Sequence, residues 1–215
     1  MLVKDWMTRD PITINSSTLL VDAQKLMKDN GFRRLPVVDN GKLVGIVTLS
    51  DIREAAPSQA TSLSIHELHY LLSKLKITEV MTRTLVTIDA NAAVEDAGLL
   101  MNRKKIGALP VMEHDRLVGI ITITDIIKVF EEALGYGTPG VRYTIAAVDV
   151  EPGAVGQITA IVKQQKRKIL SLLSMRAPGT NQRSLILRLE GRDSAELREA
   201  FKAGGYTISN VHVTE

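Results

Sequence analysis

The chain has 215 residues, with 27 Lys and Arg against 24 Asp and Glu, so it holds one large domain or two small ones and is only mildly basic. The absence of cysteine excludes a disulfide framework, a thiolate metal site and a cysteine nucleophile. With no apolar run of membrane-spanning length and no basic-then-apolar leader pattern, a soluble, cytoplasmic protein without a membrane partner is expected.

The first expected strand is a short segment at Ile12–Ile14. Ser16-Ser17-Thr18 then reads as a helix cap, followed by Leu20, Ala23 and Met27 at helical spacing, with Gly31 as the stop. Leu35–Val38 and Leu43–Thr48 read as strands joined through Asp39-Asn40-Gly41-Lys42, where Asn-Gly favours a tight hairpin. Ser50 and Asp51 open a second short helix that Pro57 closes.

The same order of elements, β-α-β-β-α, then recurs. At an offset of 74 residues about 19 of about 51 aligned positions are identical without a gap, which marks an internal duplication. Met7-Thr8-Arg9 falls on Met81-Thr82-Arg83, Leu35-Pro36-Val37 on Leu109-Pro110-Val111, and Leu43-Val44-Gly45-Ile46 on Leu117-Val118-Gly119-Ile120. The second hairpin turn, Glu113-His114-Asp115-Arg116, lacks Gly and is expected to be looser. Residues 1–57 and 77–134 are the two copies. Between them, at 58–76, Ser64 with Glu67 suggests a capping box, and Ile65, Leu68, Leu72 and Leu75 fall on one helical face. His66 and His69 have metal-ligand spacing on this linking helix, but with no further His or any Cys nearby they read as surface histidines.

A Gly-rich linker, 135–141, leads to a different domain at 142–215. Its expected elements are a strand at Tyr143–Val150, a helix at Gly153–Gln165 with Val155, Ile158 and Val162 inward, and strands at Ile169–Met175 and Leu185–Leu189. A helix capped by Asp193 and Glu196 and a last strand at Tyr206–Val213 complete β-α-β-β-α-β, a ferredoxin-like order. The fold class is therefore mixed α/β (α+β): a pseudo-twofold pair of repeats and then a ferredoxin-like domain.

The most specific local pattern is Gly45-Ile46-Val47-Thr48-Leu49-Ser50-Asp51, echoed by Gly119-Ile120-Ile121-Thr122-Ile123-Thr124-Asp125. It sets hydroxyls and a carboxylate at a strand-to-helix turn, where free N–H groups favour phosphate and a carboxylate can hold a ribose diol. Helix capping alone is the plain alternative. The repetition of the whole pattern favours a ligand.

On these residues the repeats resemble a pair of CBS domains (a Bateman module), with Gly-x-x-Thr-x-x-Asp present twice. The resemblance implies clefts between the repeats that bind AMP, ADP, ATP or S-adenosylmethionine as a regulatory ligand, with no cofactor and no metal. It places Thr48, Ser50 and Asp51, and Thr122, Thr124 and Asp125, at ribose and phosphate. Asp10, Pro11 and Ile12, and Thr84, Leu85 and Val86, would line the adenine through their backbone. Pro36, Ala108 and Pro110 belong to the same implied ligand-binding set. Arg33 and Arg34 would meet phosphate or else be solvated surface, whereas the second copy has Gly107 and Ala108 there. Lys104 and Lys105, slightly earlier, are not expected to reach, so one site should prefer a more anionic ligand, or one should be empty.

The C-terminal domain is similar to an ACT domain in element order and in the loop Asp149-Val150-Glu151-Pro152-Gly153-Ala154-Val155. That similarity implies an amino-acid effector at Asp149, Pro152, Gly153 and Ala154, or a pure dimerisation domain, with a homodimer through exposed sheet edges and through the CBS pairs. The whole arrangement resembles AcuB-type proteins. A basic run at 163–168 gives a nucleic-acid-binding regulator as one alternative, although it also complements a helix C-terminus. A nucleotide-acting enzyme is the other, but no nucleophile elbow, phosphate-binding loop or zinc-protease motif occurs. The expected protein is thus a non-catalytic regulator that passes a ligand signal to a partner protein.

Overall fold

In the computed structural model, the 74-residue correspondence in sequence returns as a correspondence in hydrogen bonding. Residues 1–55, 65–146, 153–176 and 183–214 are described, apart from the side chains of residues 65, 66, 68 and 69. The chain forms two bodies, residues 1–126 and 127–215.

The first body begins with α1 (Val3–Trp6) and β1 (Thr8–Arg9), followed by α2 (Leu20–Asn30), β2 (Arg34–Asp39), β3 (Lys42–Thr48) and α3 (Leu49–Glu54). After α4 (Ile65–Lys74) come a 3-10 turn at Ile77–Glu79 and β4 (Ile88–Asp89). The body then continues through α5 (Val94–Lys104), β5 (Ala108–Glu113), β6 (Arg116–Thr122) and the start of α6 (Ile123–Ala133). α2 forms because Leu20, Ala23 and Met27 bury one helical stripe, and α5 repeats it with Val94, Ala97 and Met101. Each stripe belongs to a core with its own hairpin, and each core is completed from the other copy, by Ile77 and Met81 in the first and by Val3 and Met7 in the second.

The repeats are tied together by exchange. β1 of the first repeat pairs antiparallel with β6 of the second, Thr8 with Ile120 and Arg9 with Gly119. Ile46 of β3 pairs in turn with Thr82 of the second repeat. Each Met-Thr segment thus closes the sheet of the other copy. Gly45 and Gly119 are required by that exchange, because the opposite repeat's methionine lies over each of them. A Cβ at Gly45 would stand 2.5 Å from Met81 Sδ, and one at Gly119 would stand 2.9 Å from Met7 Cγ.

Several local expectations are corrected. The segment at Ile12–Ile14 contributes only a bridge, Ile14 with Val37, and not a full strand. Leu19 and not Ser16–Thr18 is the N-cap of α2, and it makes no side-chain cap bond. Ser17 and Thr18 hydroxyls instead donate to Asn15 Oδ1, and the Leu20 amide is satisfied by the Leu75 carbonyl at 2.8 Å. The link between the repeats therefore supplies the cap, which no local motif shows. The second hairpin turn is as tight as the first: His114 and Asp115 adopt φ of 46° and 62°, alongside 51° and 77° at Asn40 and Gly41. Asp and His tolerate the left-handed region that this turn demands. The Ser64 capping box and Pro57 lie outside the described residues, as do the His66 and His69 side chains.

The second body carries the rest of α6 and then β7 (Gly140–Ala146), α7 (Ala154–Gln164), β8 (Ile169–Arg176), β9 (Arg183–Glu190), α8 (Ala195–Ala203) and β10 (Thr207–Thr214). Its sheet is antiparallel in the order β10-β7-β9-β8, the order of a ferredoxin-like βαββαβ unit. Val141, Tyr143, Ile145, Leu185, Leu187 and Leu189 alternate onto the face covered by Ile158, Val162, Leu197 and Phe201 of the two helices. Val155, expected inward, is exposed. Ser194 and not Asp193 caps α8, accepting from the Leu197 amide at 3.2 Å. Asp193 accepts instead from the Tyr143 hydroxyl at 2.7 Å and is paired with Arg198. On the opposite face Arg188 is only 1% exposed, donating to the Thr138 carbonyl at 2.9 Å and Thr214 Oγ1 at 3.1 Å beneath the Tyr136 ring. Among the described residues no helix is long and apolar enough to cross a membrane.

Candidate functional site: paired clefts between the repeats

The turns at Thr48–Asp51 and Thr122–Asp125 adopt one geometry. Thr48 ends β3 and caps α3; its hydroxyl accepts from the Asp51 amide at 3.2 Å, while Asp51 Oδ2 accepts from the Thr48 amide at 2.7 Å. In the second copy Asp125 Oδ2 accepts from both the amide and the hydroxyl of Thr122, at 2.9 and 2.7 Å. The capping role weighed from sequence is therefore filled by Thr and Asp together. Ser50 and Thr124 are exposed and take no part in these cap bonds.

Each turn faces a wall supplied by the other repeat. The first cleft, about 780 Å³, sets Thr48, Ser50 and Asp51 against Thr84, Leu85, Val86, Ala108 and Pro110. The second, about 550 Å³, sets Thr122 and Thr124 against Pro11, Ile12 and Pro36. Both volumes lie in the range of small-molecule sites. The same exchange that pairs β1 with β6 thus brings each apolar wall to its polar turn. Asp10 is not among the cleft-lining residues; it sits exposed at φ 45° with its amide on the Val118 carbonyl. Asp125, 7% exposed, lies behind the second cleft and does not line it.

Charge is distributed differently from the expectation. Arg33 and Arg34 line both clefts, because they lie where the two walls meet. Lys105 does reach the first cleft, from a left-handed position at the end of α5, and Arg53 joins it one turn into α3. Lys104 lines neither. The first cleft is therefore the more cationic. Burial, and then the adjacent charge of Arg33, hold the Arg34 pKa below the usual guanidinium value. Lys105, expected to fall short, takes the left-handed helix-end position that its counterpart Gly31 takes in the first copy, and this brings it to the cleft. Arg53 was missed because Ile127 stands opposite it in the repeat and no motif marks it.

In the second body Gly153 is the N-cap of α7 at φ 118°, and the Tyr206 hydroxyl lies 3.5 Å from the Ala154 carbonyl oxygen. Asp149 and Pro152 lie outside the described residues. The basic run is partly used within the fold: Lys168 pairs with Glu190 at 3.6 Å and Arg167 donates to the Arg192 carbonyl. Among the described residues no group of three or more metal-ligating side chains occurs.

Residues 3–58 and 77–132 match the CBS domain family model, and the chain belongs to the CBS domain family. A CBS domain-containing protein of Dictyostelium discoideum is 35% identical over 136 residues, covering 62% of this chain and 94% of the relative. L-aspartate semialdehyde sulfurtransferase of Methanocaldococcus jannaschii is 34% identical over 131 residues, 60% of this chain. The chain spans only 23% of that protein's length and 47% of a second relative from the same organism. Among solved structures, the CBS domain pair of protein MJ0100 in complex with 5'-methylthioadenosine and S-adenosyl-L-methionine is 33% identical, with a TM-score of 0.51 over 60% of this chain and 95% of that one. A putative acetoin utilization protein (AcuB) from Vibrio cholerae is 35% identical, with a TM-score of 0.51 over 60% of this chain and 90% of that one. CBSX2 in complex with AMP is 28% identical, with a TM-score of 0.50 over 60% of this chain and 95% of that one.

Proposed function

We propose that this chain is a non-catalytic regulatory protein whose paired clefts bind an adenosine-containing ligand, AMP, ADP, ATP or S-adenosylmethionine. The observation that carries it is the twofold recurrence of a Thr-x-x-Asp turn facing an apolar wall from the other repeat. An apolar wall suits a purine face, and the opposed hydroxyls, carboxylate and helix-start amides suit ribose and phosphate. The complexes of the related pairs with S-adenosyl-L-methionine and with AMP support the same ligand class. Asp125 then acts from behind, orienting Thr122, while Asp51 faces its ligand directly.

Because each cleft has walls from both repeats, a ligand that bridges them biases their relative angle by its difference in affinity for the two arrangements. The C-terminal domain is proposed to be ACT-like and to dimerise through a sheet edge, β8 or β10, each of which has a strand on one side only within the described sheet. A bound ligand would thereby act on a partner protein through a cytoplasmic homodimer.

The test is calorimetric titration with the four adenosine ligands, repeated on Asp51→Ala combined with Asp125→Ala. Each substitution removes a capping carboxylate at a cost of about 1 kcal/mol, so the variant should still fold, which circular dichroism checks. Loss of binding by a folded variant is expected. Retained affinity would remove the ribose assignment.

A further inference from the structure

The two clefts meet at one cationic point. Arg33, Arg34 and Gly107 line both of them. In the 74-residue correspondence the counterparts of the arginines are Gly107 and Ala108, so the second repeat brings no cation to this position. The Arg34 side chain reaches across instead. A Cβ at Gly107 would stand 3.2 Å from Arg34 Cζ and closer still to a terminal guanidinium nitrogen, so Arg34 occupies the space where a counterpart of Arg33 would project. The charge that acts on it is that of the adjacent Arg33, and its half-buried setting suits an incoming anion as counter-ion.

We propose that Arg34 is a single anion-binding group shared by the two clefts, so that phosphate-bearing adenosine ligands occupy the pair anti-cooperatively. This rests on the adenosine-ligand reading and deepens it. The first phosphate goes to the first cleft, where Arg53 and Lys105 add charge, and takes Arg34 with it. A second phosphate ligand then meets a guanidinium already engaged and a phosphate nearby. A neutral adenosine ligand makes no claim on Arg34 and fills both clefts independently.

Unequal clefts alone would also give two AMP affinities, so the experiment must separate sharing from difference. Full-length protein is titrated calorimetrically with AMP and with adenosine, as wild type, as Ser50→Trp and as Ser50→Trp with Arg34→Gln. Ser50 is exposed and lines only the first cleft, so the indole blocks that cleft without disturbing the core. With the first cleft blocked, the second should bind AMP about fivefold or more tighter than the weaker site of the wild type, a gain within the usual range of site-to-site coupling. Adding Arg34→Gln should erase the gain and leave adenosine binding within about twofold, since only the anion contact is lost. An unchanged second-site affinity in Ser50→Trp, or a gain that survives Arg34→Gln, would overturn the sharing. Adenosine binding with two equal, independent AMP sites would overturn it too, while leaving the adenosine reading intact. Failure of the wild type to bind either compound would refute both.

Discussion

One methyl group at Gly119 should destabilise the first body by about 1–3 kcal/mol, the cost of overpacking a filled site. The added Cβ would lie 2.9 Å from Met7 Cγ, closer still to its sulfur, and 3.0 Å from the Thr8 carbonyl oxygen. At Gly45 the corresponding distances are 3.1 Å to Met81 Cγ and 3.3 Å to the Thr82 carbonyl oxygen, so Gly45→Ala should cost less. Shortening the methionine relieves the side-chain clash but not the backbone one. Met7→Ala should therefore rescue Gly119→Ala in part, and Met81→Ala should rescue Gly45→Ala more fully. Each pair should show a coupling of about 1 kcal/mol or more. Trp6, the single tryptophan, adjoins Met7, and its fluorescence in a urea titration follows the first body specifically. Following one body matters, because two bodies need not unfold in one step. Additivity within about 0.5 kcal/mol in both cycles would show that the methionines do not sit over the glycines and would refute the exchanged pairing of the repeats.

Three further outcomes are expected in the second body. Arg188→Ala should cost about 2–4 kcal/mol by leaving a cavity, whereas Arg188→Met, which fills the space without a buried charge, should stay within about 1 kcal/mol of wild type in chemical denaturation. Tyr143→Phe removes the 2.7 Å bond to Asp193 and should lower stability by about 0.5–1.5 kcal/mol, read as amide-exchange protection along β7 and β9. The pairing with Arg198, ahead of the bond from Tyr143, holds the Asp193 pKa below the ordinary carboxylate value. The stabilisation it brings is therefore present above about pH 4 and lost as pH falls through the lower folded value. Asp193→Asn should flatten that part of the acid limb in the same exchange experiment; an unaltered acid limb would refute it.

The repeat, its element order and both Thr-x-x-Asp turns were legible because they depend on local spacing, which a sequence displays directly. Pairing between copies was not. An offset of 74 residues aligns Met7 with Met81 whether each packs in its own repeat or in the other, and only in the fold is it the other, Met7 over Gly119 and Met81 over Gly45. The cap of α2 was misplaced for the same reason: Ser16–Thr18 has the right residue types, yet the Leu75 carbonyl, distant in sequence, satisfies the helix start. The turn at His114-Asp115 adopts the left-handed pair without glycine because the flanking strands, paired in the same register as the first hairpin, impose it. In the clefts, Thr48, Ser50, Asp51, Thr122 and Thr124 of the motif stand at the lining while Asp125 lies behind it, whereas Arg53 and Lys105 enter through packing. Asp10, flagged by neighbourhood, fell outside.

The most direct test is thermal unfolding of the full chain in buffer and with AMP, ADP, ATP or S-adenosylmethionine, followed through Trp6. A ligand at about 100 times its dissociation constant adds about 2.7 kcal/mol to the body that binds it. The paired-cleft assignment predicts a rise in the Trp6 transition with at least one of these compounds. A transition that none of the four moves would contradict it and leave the clefts as structural seams between the repeats.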